Sequence, residues 1–368
     1  MSRSSLILAY SFTMQCQQLQ LLFDKEPNLA QWLEKAMGSQ SLFLRCEPLS
    51  GDASFRSYYR LYQDNAVFML AVAPPATEKN REFVTIAQML HKSGALVPQV
   101  LAASYEFGYI LQQDLGDQIL QPLLKEQSVA DYWYGLAVDQ LQVFAAIPME
   151  SLTALAVYDD ALLKQEMNLL QEWFIPKLLN YVLDNSELEL LERAFDYLSA
   201  SAQAQAQVFV HRDYHCRNLM AVDEKLATID FQDGVVGPIT YDAVSLLKDC
   251  YITWPAEWVE STLNTFYEGL VAKQLIGVPW PEFLKSFHLM GLQRHIKVLG
   301  IFARLSLRDG KHSYLDDLPT VIRYVSDAAG NDEVLTDFKQ WFDKTLLPLC
   351  QAQPWWFDDA VIRNEALS

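Results

Sequence analysis

"HRDYHCRNLM", residues 211–220, and "TIDFQDGVVGP", residues 228–238, decide how this chain is read. The first stretch carries Asp213 and, five positions on, Asn218; the second ends an apolar run on Asp230. Phosphoryl transfer needs such a set: a carboxylate to orient or accept the proton of an attacking hydroxyl, and hard oxygen ligands to hold Mg²⁺ against phosphates. Asp213 suits the first role, and Asn218 and Asp230 the second. Each has an ordinary alternative, since an Asp before an aromatic often caps a turn and Asn218 could cap the turn before "LMAV". The joint spacing between two apolar runs selects the chemistry. "QVFVHRD" and "KLATIDF" read as neighbouring strands of one short hairpin, which would bring the three side chains together.

Around this set, His211 reads as a buried imidazole bracing the loop. His215 and Arg217 lie inside the loop and are candidate substrate contacts, although solvent-facing loop residues look the same in sequence. Gln232 and Asp233 are further substrate candidates; Asp233 could equally cap the turn before Gly234. Asp242, in "GPITYDAVSLL", falls in the first turn of a helix, where its charge meets the helix N-terminus favourably and it can hold the loop from beneath.

The whole chain sets bounds on this reading. It has 368 residues, 51% of them hydrophobic, enough for two domains or one domain in two lobes. A net charge of −18 argues against a nucleic-acid partner, which needs clustered Lys and Arg. An acidic protein that handles nucleotides must bring metal ions to its site. Five scattered cysteines, with no C-x-x-C, support neither a disulfide framework nor a zinc site. No apolar stretch approaches the roughly 20 residues needed to span a bilayer. The opening "MSRSSLILAYSF" lacks a small-x-small cleavage site, so the expected location is cytoplasmic, with Met14 a candidate start. No protein partner is inferable.

Along the chain, residues 15–38 read as one or two amphipathic helices, with Asn28 a plausible N-cap and Gly38 a stop. "SFRSYYRLYQDN" and "AVFMLAVAPP" read as a strand pair about the Asp64-Asn65 turn. "NREFVTIAQMLHKSG" gives a helix with Phe83, Ile86, Ala87 and Leu90 on one face. "VPQVLAAS" and "YEFGYILQQDL" add two strands. Beyond residue 116 the spacing is helical, in "VADYWYGLAVDQLQVFAAI", "YDDALLKQEMNLLQEWFI" and "ELELLERAFDYLSA". The expected fold class is α+β and bilobal: an N-terminal extension (1–27), a small antiparallel-sheet lobe (28–115) and a larger helical lobe (116–368). A phosphate-covering element is expected in "SGDASFRSYYR", where Gly51 allows close backbone approach, Ser54 can donate, and Arg56 or Arg60 supplies charge. With a single glycine, the same stretch also reads as an ordinary turn.

The pattern H-x-D-x-x-x-x-N followed by I-D-F resembles the catalytic and metal-binding loops of the protein-kinase-like fold. "HRDYHCRNLM…IDFQDGVVGPITYD" resembles the aminoglycoside phosphotransferase family. "GDASFRSYYR", "FQDGVVGPITYDAVSLLKDCYI" and "MGLQRHIKVLGIFARLSLRDGKHSYLDDLP" look like its bacterial anomeric sugar kinases, which phosphorylate N-acetylmuramate and N-acetylglucosamine at C1 in cell-wall recycling. The resemblance covers about residues 28–345. It implies Asp213 as base, Asn218 and Asp230 as Mg²⁺ ligands, and ATP against "ILQQDLG" (110–116), with Gln112 and Asp114 as contacts. It also implies a small-molecule amino sugar as substrate. One departure stands out: "AVFMLAVAPP" lacks the strand Lys that kinase-like folds place on the α- and β-phosphates and pair with a helix Glu. Glu82 could be the old partner, and Arg56, Arg60 or Lys79 could supply the charge. A kinase for another alcohol (an aminoglycoside, choline or homoserine) and a nucleotide-binding pseudokinase remain the alternatives. On "GLQRHIKVLGIFARL", Arg294 and Lys297 share a face with Arg304, a basic stripe that could meet an anionic substrate group or pair with local acids.

Overall fold

The computed structural model describes residues 17–38, 43–49, 55–63 and 66–357. The chain divides into two compact units. The first comprises Met1–Gln118 together with Met220–Asp233, and the second Ile119–Leu219 with Gly234–Ser368. The segment 220–233 belongs to the sheet-bearing unit and not to the helical one.

In the first unit, helix α1 (17–25) and α2 (Leu29–Met37) precede a five-stranded antiparallel sheet. Its strands are β1 (Arg45–Leu49), β2 (Ser57–Gln63), β3 (Ala66–Val72), β4 (Val100–Ser104) and β5 (Tyr109–Gln113), in the order β1-β2-β3-β5-β4. Helix α3 (Asn80–Lys92) lies between β3 and β4 in the chain. Strand alternation sends Leu61, Leu70, Tyr109 and Leu111 to one face, where they pack with Leu19, Leu22, Leu29 and Leu33 of the two leading helices. The pairings Arg60↔Met69 and Met69↔Gln112 lay a row across the other face. β1 was not expected, because Pro48 weakens its strand signal; as an edge strand bonded only to β2 it can lack that N–H.

The segment 220–233 is tied to this unit by backbone bonds. Ala221 N donates to Gln118 O at 2.8 Å and Thr228 N to Leu96 O at 2.9 Å. Phe231 stacks on Phe83 of α3, with centroids 4.9 Å apart.

The second unit is helical. It contains α4 (Gln127–Ala145), α5 (Met149–Leu152), α6 (Asp160–Met167), α7 (Asn185–Ala204), strand β6 (Gln207–Val210) and, later in the chain, β9 (Val235–Pro238). Strands β7 (Leu219–Val222) and β8 (Lys225–Thr228) lie between them in sequence. The expected hairpin is corrected here. β6 pairs antiparallel with β9, while β8 pairs with β7, so the runs flanking the catalytic stretch belong to different two-stranded sheets. "LMAV" is apolar enough to be β8's partner across a turn in which Asp223 takes φ 50°.

After β9 come α8 (Tyr241–Leu247), α9 (Ala256–Ala272), α10 (Trp280–Asp309), α11 (Leu318–Gly330), α12 (Thr336–Trp341) and α13 (Leu347–Gln351). α10 is buried along its middle third and packs with α7 and α11 around Leu198, Leu292, Leu299, Phe302 and Val325. "YDDALLKQEMNLLQEWFI" is not one helix: α6 ends at Met167 and a π-helical segment runs from Leu170 to Leu178 with Pro176 inside. Among the described residues no helix is long and apolar enough to cross a membrane. Among the described residues, Cys46, Cys216, Cys250 and Cys350 form no disulfide. Gly51, Ser54, the Asp64-Asn65 turn, Met14 and Cys16 lie outside the described residues.

Candidate active site

In the second unit, the loop between β6 and β7 holds Asp213 by its backbone. Asp242, buried in the first turn of α8, accepts from His211 N at 2.6 Å and Arg212 N at 3.0 Å. His211 is buried, and its Nδ1 accepts from Asp213 N at 3.3 Å, as a bracing imidazole would. Tyr214 anchors the loop to α4, its hydroxyl donating to Ala137 O at 3.0 Å. Asn218 closes the turn, with Nδ2 donating to Asp213 O at 3.0 Å.

The electrostatics beneath the loop come from residues far apart in sequence. Burial pushes the Asp213 carboxyl up, but the charges of Lys297 and Arg294 more than offset this and hold it at about 2. Glu166 of α6 is buried, and it binds Arg212, the Tyr158 hydroxyl and, at 3.1 Å, Lys297. Lys297 also donates to Tyr241 OH at 3.0 Å. Arg294, equally buried, donates from Nη2 to Ser245 Oγ at 2.8 Å. Of the expected basic stripe, Lys297 is thus paired with an acid, while Arg294 donates to a hydroxyl and lies 5.5 Å from the Tyr241 ring.

The other loop candidates are engaged. Arg217 Nε donates to Gln121 Oε1 at 2.9 Å, and its guanidinium lies 3.5 Å over the Tyr251 ring. The His215 ring packs edgewise on Tyr251, and burial pushes its pKa down, favouring the neutral imidazole. Trp254 is core, its Nε1 donating to Tyr134 OH at 3.0 Å.

In the first unit, Asp230 is exposed and takes φ 64°, a left-handed conformation uncommon outside glycine. Gln232 Nε2 donates to its Oδ1 at 3.0 Å. The Tyr58 hydroxyl senses Asp230, Arg56 and Glu78 together, with burial as the largest cause of its raised pKa. Arg56 is buried, 3.5 Å from Glu78 and 4.7 Å over the Phe83 ring. Arg56 with Glu78, just before α3, thus forms the cation–carboxylate pair that β3 lacks. Glu82, the partner expected from sequence, is exposed.

Arg60 sits elsewhere. It binds Asp114 at 2.6 Å, Asp117 at 2.7 Å and Gly116 O at 3.2 Å, clamping the segment that follows β5. Arg60 and Asp114 are thereby engaged with each other. Gln112 is buried with its Oε1 unpartnered among the described residues. Lys79 and Asp233 form an exposed 2.7 Å ion pair.

The oxygen donors suit Mg²⁺. Asp230 of the first unit offers an exposed carboxylate, and Asn218 of the second unit an amide oxygen, both hard ligands. Among the described residues no three His, Cys, Asp or Glu side chains gather into a protein-only metal cage. A cation held largely by nucleotide phosphates needs fewer protein ligands.

A five-stranded antiparallel sheet bearing one helix, and a helical unit that presents an H-x-D-x-x-x-x-N loop, define a kinase-like fold. Solved structures agree. An ADP-bound aminoglycoside phosphotransferase superposes with a TM-score of 0.55 at 15% identity, over 82% of this chain and 98% of that one. Plasmodium vivax ethanolamine kinase gives 0.56 at 10% identity, over 76% and 82%. A family model described as the phosphotransferase enzyme family matches residues 45–275. The N-acetylmuramate/N-acetylglucosamine kinase of Pseudomonas aeruginosa is 38% identical over 294 residues, covering 79% of this chain and 85% of the relative. The enzyme of the same name from Neisseria meningitidis is 34% identical, over 82% and 90%. The chain belongs to the phosphotransferase enzyme family, among its aminoglycoside-phosphotransferase-like kinases.

Glu166, Glu78 and Asp249 were not anticipated from sequence. Asp249 is buried and accepts from Cys216 Sγ at 3.3 Å. Each meets its partner through tertiary contact across twenty or more positions of the chain, so no local pattern marks them.

Proposed function

We propose that this protein transfers the γ-phosphoryl group of ATP, with Mg²⁺, to the anomeric hydroxyl of N-acetylmuramate or N-acetylglucosamine. The relatives' names support the acceptor, and the ADP in a solved neighbour supports the donor. The observation that carries the chemistry is Asp213, a carboxylate held ionised at about 2 on a loop whose backbone is bonded from below by Asp242. So weak a base does not deprotonate a sugar hydroxyl in the ground state. It accepts the hydroxyl's hydrogen bond, aims the oxygen at phosphorus, and takes the proton late, once the new O–P bond has made that oxygen acidic.

Asn218 and Asp230 would hold Mg²⁺, which when bound neutralises charge on the nucleotide phosphates. Arg56, oriented by Glu78, would take the phosphate role of the absent strand Lys. Gln112 and the backbone after β5, clamped by Arg60 and Asp114, would face the nucleotide base. The described geometry gives no support to Arg217, Asp233 or Lys297 as free substrate ligands, since each is already paired. Neutral His215 could meet a sugar hydroxyl.

The test is ³¹P NMR of the protein with Mg-ATP and each sugar. A proton-coupled doublet from a sugar 1-phosphate is expected, with Asp213→Asn lowering turnover roughly 10²- to 10⁴-fold and leaving ATP affinity nearly unchanged. A 6-phosphate signal would reject anomeric attack. Equal losses of nucleotide binding and turnover in the variant would reject Asp213 as base.

A further inference from the structure

Arg294 and Lys297 sit one turn apart on α10, 8% and 5% exposed, and they look alike in sequence. Their surroundings separate them. Lys297 is neutralised in place by Glu166 and Tyr241. Arg294 carries five N–H donors and, among the described residues, spends one of them, on the neutral Ser245 hydroxyl. The Tyr241 ring lies 5.5 Å from its guanidinium carbon. No carboxylate comes within ion-pair distance of Arg294 among the described residues, although the fields of Asp213 and Asp249 reach it. Burying a guanidinium without a counter-charge is costly, and an apolar residue at this position would avoid the cost. Its charge is answered at range by Asp213 and Asp249 but by no carboxylate in contact among the described residues, which leaves most of its N–H donors open to an anionic ligand.

The position narrows which anion. Arg294 bonds Ser245 of α8, the same short helix whose Asp242 holds the backbone of the Asp213 loop, so its charge sits beneath the loop proposed to meet the acceptor. The two acceptors proposed above differ in one group: N-acetylmuramate carries a lactyl ether ending in a carboxylate, and N-acetylglucosamine carries a free hydroxyl there. A planar guanidinium matches a carboxylate fork to fork, a geometry that an ammonium cannot supply.

We propose that Arg294 binds the lactyl carboxylate of N-acetylmuramate and so sets the preference between the two sugars. This rests on the acceptor reading given above. The enzyme would be assayed with N-acetylmuramate, its methyl ester and N-acetylglucosamine, for the wild type, Arg294→Gln and Arg294→Lys. For the wild type, kcat/KM for the ester is expected to fall about 10- to 100-fold below that for the free acid, mainly through KM. Arg294→Gln, which also removes a charge that helps keep Asp213 ionised, should lose about 10- to 100-fold more for the acid than it loses for the ester or for N-acetylglucosamine. Arg294→Lys should restore part of the loss for the acid.

Equal wild-type kcat/KM for acid and ester would overturn the assignment without reliance on any variant. Parallel losses for both sugars in a variant that retains the wild-type melting temperature would also overturn it, making Arg294 a support for Asp213. If the wild type phosphorylates neither sugar, the acceptor reading falls first and this assignment falls with it.

Discussion

Two residues beside the proposed chemistry, Arg212 and Asp230, take φ 76° and 64°, conformations that cost of order 1–3 kcal/mol each outside glycine. At Arg212 the surroundings explain how it persists: its N–H is bonded to Asp242 and its guanidinium to Glu166. Asp242 also makes the loop sensitive to pH. Burial pushes its carboxyl from the usual 3.8 up to about 6, against the pull of His211 and the two backbone N–H groups. The folded state thus holds this proton more tightly than the unfolded chain does. Its contribution to stability is full below pH 4 and is lost as pH rises through 6. Asp242→Asn removes that titration. Denaturant unfolding between pH 4 and 7.5 should therefore show wild type losing about 3 kcal/mol relative to the variant as pH rises. Parallel curves would mean that the backbone bonds keep Asp242 ionised throughout. Part of this region was legible at residue scale: His211, read as a bracing imidazole, and Asp242, read from the first turn of a helix, make the loop contacts expected of them. Glu166 was not, because it lies 46 positions from Arg212 and only tertiary packing joins them.

At the scale of elements, α3, α4 and α7 fall close to their sequence positions because their apolar faces recur at helical spacing. The break after α6 has a cause outside its own sequence. Gly300 of α10 lies directly against the backbone of Leu169, between the end of α6 and the start of the π-helical segment, where a Cβ would overlap Leu169. Local periodicity carries no trace of such a crossing. Pro176 further on removes one N–H from the ladder. The mispaired hairpin has a similar origin, since several short apolar strands of like composition compete and topology chooses among them. Gly300→Ala gains helix propensity, worth about 1 kcal/mol, and loses more to overlap, worth about 3 kcal/mol. A net loss of about 2 kcal/mol in unfolding free energy is expected. A variant as stable as wild type would show that α10 can shift freely against Leu169.

Over the whole molecule, the decisive feature is that the first unit is discontinuous. Its sheet and α3 come from residues before 118, and β8 and Phe231 come from a segment more than a hundred positions later. Because Phe83 has Phe231 as its stacking partner and Leu96 O accepts from Thr228 N, a fragment of residues 1–118 is expected to show no cooperative melt by circular dichroism. Fusing residues 220–233 to its end through a short Gly/Ser linker should restore one. A sharp melt of the bare fragment would show that the sheet is self-sufficient. The same discontinuity shapes how the protein is made. The ribosome must synthesise a further 115 residues after Gln118 to add Asp233, which at typical elongation speeds is on the order of 10 s. Throughout that interval Phe83 of α3 lacks its aromatic stacking partner and Leu96 O its strand donor.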